Sequence, residues 1–376
     1  MRLATLTCTI RCPRHDPSRE SPDPLACRAP RRGVTRATVT DPKGPLPPLA
    51  YRGARALVLG GSGFIGRWVA RALTSAGARV TAGVRNLDAF AAIARDWAID
   101  AAVIPFSATD ADSAHAILRE AQPDVVFNLT GYGVDRSESD ADLMWVINRD
   151  LVGQMAAALA RRPAASWSGQ RLIHAGSALE YGLMDGVARE GRGVAPHTEY
   201  GRSKLAGTHA LREHCAATGL RAVTCRLFTV YGPGEHAGRL LPSLLAAAQE
   251  DTPVSLSGGS QQRDFAYVED VAKGLLALGI ASPDPGESIN LATGRMRSVR
   301  EFALAAASVL GLESDRLLFG EQATRPDEMR LGGVDVDRFR ALAGWLPSED
   351  VHRGVERALE FERRQRTAIG GGTGHA

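Results

Sequence analysis

Ala56-Leu57-Val58-Leu59 runs directly into Gly60-Gly61-Ser62-Gly63-Phe64-Ile65-Gly66, and a helix-periodic stretch follows from Phe64 to Ala76 before Gly77. A short buried strand, a glycine turn and a helix in that order leave the backbone few options. The first glycine permits the tight turn, the second lets a phosphate approach the backbone, and the third lets helix pack on strand. The helix N-terminus then points its free N–H groups at an anion, which is how a dinucleotide pyrophosphate is held. Gly60, Gly63, Phe64, Ile65 and Gly66 are therefore candidate cofactor residues. A glycine turn alone is weak evidence; its strand–turn–helix setting gives it weight.

The same alternation continues. Further strands are read at Arg79–Val84, Val103–Phe106, Val125–Leu129, Arg171–Ala175 and Ala222–Leu227, with helices at Leu151–Arg161 and Glu199–Thr218, the latter closed by Gly219. Near-continuous apolar strands separated by helices predict an α/β fold: a Rossmann-type doubly wound parallel sheet covered on both faces. After Tyr231-Gly232-Pro233-Gly234 the pattern loosens, with helices read at Leu240–Gln249, Val271–Gly279 and Val299–Leu310. This predicts a smaller C-terminal α/β substrate-binding lobe over the carboxyl edge of the sheet, where open α/β sheets bind ligands. The expected organisation is a disordered extension over 1–50, the cofactor domain over 51–235, the substrate lobe over 236–363, partly interleaved with the sheet, and a flexible tail over 364–376.

Tyr200 and Lys204 stand four apart at the start of a helix and so share one face. A free phenol, with a pKa of about 10, is a poor base at neutral pH, and a nearby ammonium favours its ionised form. Tyr200 can then exchange a proton with a carbinol while a nicotinamide exchanges the hydride, and Lys204 can hold the cofactor ribose. Ser177, just after the Arg171–Ala175 strand, can hydrogen-bond the substrate oxygen. Ser177, Tyr200 and Lys204 are the predicted catalytic residues. Tyr200 and Lys204 taken alone would read as an ordinary amphipathic helix start.

The second strand ends Gly83-Val84-Arg85-Asn86. Val84 stands where an NAD site places an acid for the ribose diol, and Arg85 can pair with a 2′-phosphate. Arg85 and Asn86 are candidate cofactor residues, and NADP is favoured over NAD. Asp88 is read as the cap of the next helix.

The formal charge of +3 misleads: residues 1–50 hold eight Arg and one Lys against four acids, +5, which leaves −2 for the rest. No basic excess marks the body as a nucleic-acid binder. No apolar run reaches the roughly 18–20 residues that span a bilayer, and residues 1–50 lack the apolar stretch of a secretory signal. A cytoplasmic enzyme is expected. Cys8, Cys12, His15 and Cys27 match no common zinc spacing. No metal is expected, and Cys215 and Cys225 are read as reduced.

Taken together, these motifs resemble the extended short-chain dehydrogenase/reductase family, and within it the NAD(P)-dependent nucleotide-sugar epimerases, dehydratases and reductases, from about Arg55 to Glu362. The family's Ser–Tyr–Lys trio falls on Ser177, Tyr200 and Lys204. The resemblance implies that Leu129 and Thr130, ending Asp124-Val125-Val126-Phe127-Asn128-Leu129-Thr130, lie beside the cofactor with Asn148 and Phe228. It implies that Arg263, in Gln262-Arg263-Asp264-Phe265-Ala266-Tyr267-Val268, and Arg325, in Arg325-Pro326-Asp327-Glu328, clamp the pyrophosphate of a nucleoside-diphosphate sugar; a guanidinium reads phosphate in a bidentate way. Arg263 paired locally with Asp264 is the alternative. Gly344-Trp345-Leu346-Pro347 also fits the family. Thr229, the candidate substrate residue at that place, replaces an Asn that often contacts the substrate phosphate, and Ser107 replaces an adenine-binding Asp. Homodimerisation through the Leu151–Arg161 and Tyr200 helices is expected by the same analogy.

Where related 4,6-dehydratases carry Thr-Asp-Glu, this chain has Ser177-Ala178-Leu179. Alanine and leucine shuttle no protons, which argues against dehydration and decarboxylation. A 4-ketoreductase of deoxysugar nucleotides and an NAD-dependent 4-epimerase both remain, with Arg85 and the Gly176-Ser177…Glu180-Tyr181-Gly182 run favouring the reductase. A non-catalytic NADP-binding regulator is the reading outside enzymes.

Overall fold

The structure, a computed structural model, describes residues 50–370 except Ala111, Arg136, residues 163–166 and residues 324–327, and only the backbone of 366–370. The expected N-terminal extension, with Cys8, Cys12, His15 and Cys27, lies outside the described residues up to position 49, as do Arg325 and the last six residues.

Seven strands form one parallel sheet: β1 Arg55–Leu59, β2 Arg79–Val84, β3 Ala101–Pro105, β4 Val125–Asn128, β5 Leu172–Ser177, β6 Ala222–Leu227 and β7 Glu287–Leu291. Their order is β3-β2-β1-β4-β5-β6-β7. The chain starts in the middle and winds outward in both directions, so the order reverses between β1 and β4, and ligands bind at such a reversal. Leu59 lies opposite both Gly83 and Asn128, so the carboxyl ends of the central strands are aligned.

Helices cover both faces, as a parallel sheet requires. On one side α1 Phe64–Ser75, α2 Leu87–Asp96 and α8 Val268–Ile280 bury Trp68, Leu73, Phe90, Val271 and Leu275. On the other, α3 Ser113–Ala121, α5 Leu151–Ala160 and α6 Glu199–Thr218 bury Ile117, Met155 and Leu211. Each such fully buried aliphatic or aromatic side chain contributes roughly 1.5–3 kcal/mol. A third core belongs to the C-terminal lobe. There α7 Leu240–Glu250, α9 Val299–Leu310 and α11 Val351–Gly370, the last following the short helix α10 Asp337–Ala343, pack around strands Thr229–Tyr231 and Gln262–Tyr267. Its centre is Phe265 stacked on Phe302 with ring centroids 4.2 Å apart. Helix α8 and strand β7 return from this lobe to the main sheet, so the two lobes interleave.

Several expected boundaries move. Strand β5 continues through Gly176 and Ser177, which pair with Arg226 and Leu227, so Ser177 ends the strand rather than following it. Gly176 weakens the β signal there, yet an added Cβ would crowd Thr224 and Glu180. Strand β3 begins two residues earlier than read, because an edge strand can leave Ala102 and Val103 exposed. The Leu151 helix continues a longer one: α4 Ala141–Trp145 and a π-helical turn Val146–Asp150 precede it. Helix α8 starts at Val268, three residues early. Helix α11 runs to Gly370, so 364–370 is helical rather than a tail. Asn86, not Asp88, caps α2: its Oδ1 accepts the Ala89 N–H at 2.9 Å.

Candidate active site

The glycine turn joins β1 to α1 at the reversal point. Gly60 has φ +76°, open to glycine without strain, and a Cβ on Gly66 would collide with the Gly60 carbonyl. A Cβ on Gly60 would lie 3.0 Å from the Leu129 carbonyl, so the turn and the end of β4 touch. Helix α1 has no side-chain cap at Gly63 and no acid in its first turn. By contrast α2, α6 and α9 are capped by Asn86, Thr198 and Ser298. An uncapped N-terminus free of acidic charge suits a pyrophosphate, which fits a dinucleotide. Arg67 braces the turn from behind, donating to the Ser62 carbonyl at 2.9 Å and the Gly63 carbonyl at 3.3 Å. At the end of β2, Val84 is buried and Arg85 is exposed.

The loop after β4 closes the other side. Thr130 Oγ1 and N–H both donate to Asn128 Oδ1. Asn148 sits fully buried in the π-helical turn, and its Nδ2 donates to the Tyr132 carbonyl at 2.8 Å and to Ser203 Oγ at 3.0 Å. Its Oδ1 accepts the Tyr132 N–H. In this structure Asn148 therefore fastens the post-β4 loop to α6. Glu138 gathers the N–H groups of Gly133, Val134 and Asp135 on one oxygen, and a Cβ on Gly133 would touch the Tyr200 ring at 3.0 Å.

Thr198 caps α6 by accepting the Gly201 N–H, which starts the helix one residue before Tyr200. Tyr200 and Lys204 then rise on one face beside the end of β5. The Ser177 hydroxyl hydrogen-bonds the phenol. Burial pushes the phenol well above its ordinary pKa; Glu180 and Glu138 push the same way, while Ser177 and the Arg239 charge oppose it. Lys204 Nζ donates to the Ala175 carbonyl at 2.6 Å, and burial lowers its pKa to about 8. Its ammonium also helps keep buried His174 neutral.

Two predicted substrate residues stand on the lobe. Thr229 opens the strand paired with Phe265–Tyr267, and Phe228 precedes it against Tyr181, 6.5 Å between rings. Arg263 forms an ion pair with Glu328 and donates to the Met329 carbonyl at 2.7 Å, while Asp264 accepts the Thr293 N–H. Sequence reasoning named Glu180 only within a reductase-like run and gave it no role; it is fully buried against Arg226 at 2.9 Å, next to Ser177. The Ser-x-x-Glu pattern of Ser177–Glu180 is a capping box and was the available signal. Among the described residues no group of three or more His, Cys, Asp or Glu is placed to hold a metal, and no helix is long and apolar enough to cross a membrane.

The chain is similar to dTDP-6-deoxy-L-talose 4-dehydrogenase (NAD(P)(+)) of Kitasatospora kifunensis, 29% identical over 80% of this chain and 93% of the relative. It is equally similar to UDP-glucose 4-epimerase of Azospirillum brasilense, 29% identical over 84% of this chain and 94% of that one. Among solved structures, MoeE5 in complex with UDP-glucuronic acid and NAD superposes with a TM-score of 0.70 at 26% identity, covering 82% of this chain and 99% of that one. Residues 56–292, well over half of the chain and all of the elements that carry Ser177, Tyr200 and Lys204, match the NAD dependent epimerase/dehydratase family; this chain belongs to that family and is an enzyme of its epimerase/reductase type.

Proposed function

We propose that this enzyme reduces the 4-keto group of a deoxysugar nucleotide, taking hydride from NADPH. The observation that carries the reading is the end of β2, where a buried Val84 replaces a ribose-binding acid and Arg85 stands exposed beside it. Supporting it, Ala178 and Leu179 give the site no second acid or base. The Kitasatospora relative is named for oxidoreduction at C4 of a dTDP-6-deoxysugar with either nicotinamide cofactor. A bound nicotinamide would supply the hydride to C4. Ser177 orients the C4 oxygen, and Tyr200, whose buried site keeps its proton on, delivers that proton to the oxygen. Lys204 holds the ribose, and its ammonium stabilises the phenolate left when Tyr200 gives up its proton, until solvent returns that proton. Arg263 and Arg325 hold the diphosphate, joined by Thr229. Phe228, Leu129 and Thr130 line the nicotinamide side, Asn148 holds the loop behind them through Tyr132 and Ser203, and Asn86 lies near the adenosine end. The working form is a cytoplasmic homodimer joined through α5 and α6.

The second reading is an NAD-dependent nucleotide-sugar 4-epimerase, favoured by the equal similarity to the Azospirillum enzyme and by the NAD in the MoeE5 complex. The two part on stoichiometry. Purified protein is mixed with dTDP-4-keto-6-deoxyhexoses and NADPH or NADH, and the reduced-nicotinamide absorbance is followed. One NADPH lost per ketone supports the reductase. No net loss, with tightly held NAD released on denaturation, selects the epimerase.

A further inference from the structure

We propose that Glu180 is a positioning residue for the Ser177–Tyr200–Lys204 site, a buried carboxylate that stitches together the elements carrying it; this rests on reading that trio as the proton-transfer site. Glu180 lies in the 3-10 turn Ala178–Glu180 after β5 and is fully buried. Its Oε1 accepts the Ser177 N–H at 2.8 Å. Its Oε2 accepts Arg226 Nε of β6 at 2.9 Å and Thr208 Oγ1 at 3.1 Å. Thr208 is four residues beyond Lys204 on α6 and so shares the face that carries Tyr200 and Lys204. One carboxylate therefore joins the end of β5, the catalytic helix and β6.

The consequences reach the hydroxyl of Ser177. With its N–H fixed, Ser177 accepts the Leu179 N–H on Oγ at 3.2 Å, which leaves its own proton free to point at the phenol. The surroundings are built around the carboxylate. A Cβ on Gly176 would come within 2.6 Å of Glu180 Oε1. Arg226 lies 4.7 Å over the Tyr181 ring and donates to the Tyr181 hydroxyl at 3.1 Å, which in turn donates to Asn290 Oδ1 at 2.7 Å. A buried ion pair is weak evidence for stability, because desolvation offsets much of the attraction. Its placement under the reacting groups is better explained by what it holds.

Charge points the same way. The groups acting on the phenol are Ser177 and Glu180 from the end of β5, Glu138 from the post-β4 loop and Arg239 before α7. Those around Glu180 are Arg226 from β6 and Lys204 and His209 from α6. Glu180 raises the pKa of both Tyr200 and Lys204, so both keep their protons, the state in which a ketone is reduced.

The test compares wild type with Glu180→Gln and with the double variant Glu180→Gln/Arg226→Met, which leaves no lone buried charge if the single variant does not fold. The assay is oxidation of dTDP-6-deoxy-L-talose by NADP across pH. The expected kcat falls on the order of 10- to 100-fold, as for a misplaced reacting group, the NADP affinity is unchanged, and the acid limb of kcat/KM moves to lower pH. Ultraviolet difference titration against Tyr200→Phe reads the same phenol shift without turnover. An unmoved limb and an unmoved phenol titration in the folded variants would reduce Glu180 to packing and overturn the proposal. Full turnover by Tyr200→Phe would instead remove the trio itself.

Discussion

Lys204 Nζ donates a 2.6 Å hydrogen bond to the carbonyl of Ala175, crossing from α6 to the strand that ends in Ser177. That reach buries an ammonium, and burial lowers its pKa from 10.5 to about 8. Between those values the unfolded chain binds the additional proton, so stability rises with pH over this window. Below about pH 8 the folded enzyme carries a cost on the order of 3 kcal/mol for the buried charge. Lys204→Met should therefore abolish turnover yet raise the apo melting temperature at pH 7. The gap to wild type should narrow as pH climbs towards 10. Thermal unfolding at several pH values checks it, and a lower melting temperature for the variant at pH 7 would contradict it.

Gly66 leaves no room for a side chain, since a Cβ there would meet the Gly60 carbonyl, backbone that cannot swing away. Gly66→Ala must push α1 off β1 and open the pyrophosphate turn. The expected result is at least about 2 kcal/mol lost from stability, the usual scale of overpacking and strain, and cofactor affinity reduced at least tenfold. Titration with NADPH by fluorescence, alongside urea unfolding, measures both. Gly191→Ala is the control, with nothing within 4 Å of its Cβ.

What was legible in the sequence was the part written in local pattern. Strands Arg79–Val84 and Ala222–Leu227 and helices Glu199–Thr218 and Val299–Leu310 stand where apolar runs and glycine stops put them. The glycine turn and the Tyr200–Lys204 pair were legible for the same reason: their chemistry is encoded in adjacent residues. Asn148 was found only by resemblance, because its partners Tyr132 and Ser203 lie 16 and 55 positions away. The π-helical turn that aims it has no compositional mark. Glu180 and Arg226 are 46 positions apart and meet only once β5 and β6 pair. Arg263 stands in the resemblance as a substrate clamp, and its ion-pair partner Glu328 lies 65 positions away, at the end of the run that the same resemblance assigns to a second clamp.

Arg263 is nearly buried, with the Glu328 carboxylate on its guanidinium. A diphosphate would compete for the same fork. Arg263→Met should raise KM for the nucleotide sugar about 10- to 100-fold, the worth of a charge-assisted bidentate contact, with kcat little changed. Glu328→Gln weakens the competitor and should lower KM. Steady-state kinetics with both variants checks the pair, and opposite directions are required. A raised KM in both would mean that the ion pair shapes the site rather than competes for it.

Tyr200→Phe keeps the ring that packs beneath Gly133 and removes only the hydroxyl that meets Ser177. Fold and cofactor affinity should survive. Turnover should fall about 10²- to 10⁴-fold, the range for losing a positioned proton donor.

Arg85 is exposed at the end of β2 and Val84 beside it is buried, so a 2′-phosphate has a cation to meet and a bare 2′-hydroxyl has no carboxylate. Arg85→Ala should weaken NADPH binding about tenfold or more, since a hydrogen bond to a charged group is worth roughly 1.5–3 kcal/mol, and leave NADH unchanged. Val84→Asp/Arg85→Ala should go further and invert the preference, because the new acid repels the phosphate and accepts from the ribose diol. Dissociation constants for the two reduced cofactors, with each protein, decide it. Equal losses for both would show that Arg85 supports the adenosine end without reading its phosphate, and the case for the NAD-retaining epimerase would then be the stronger one.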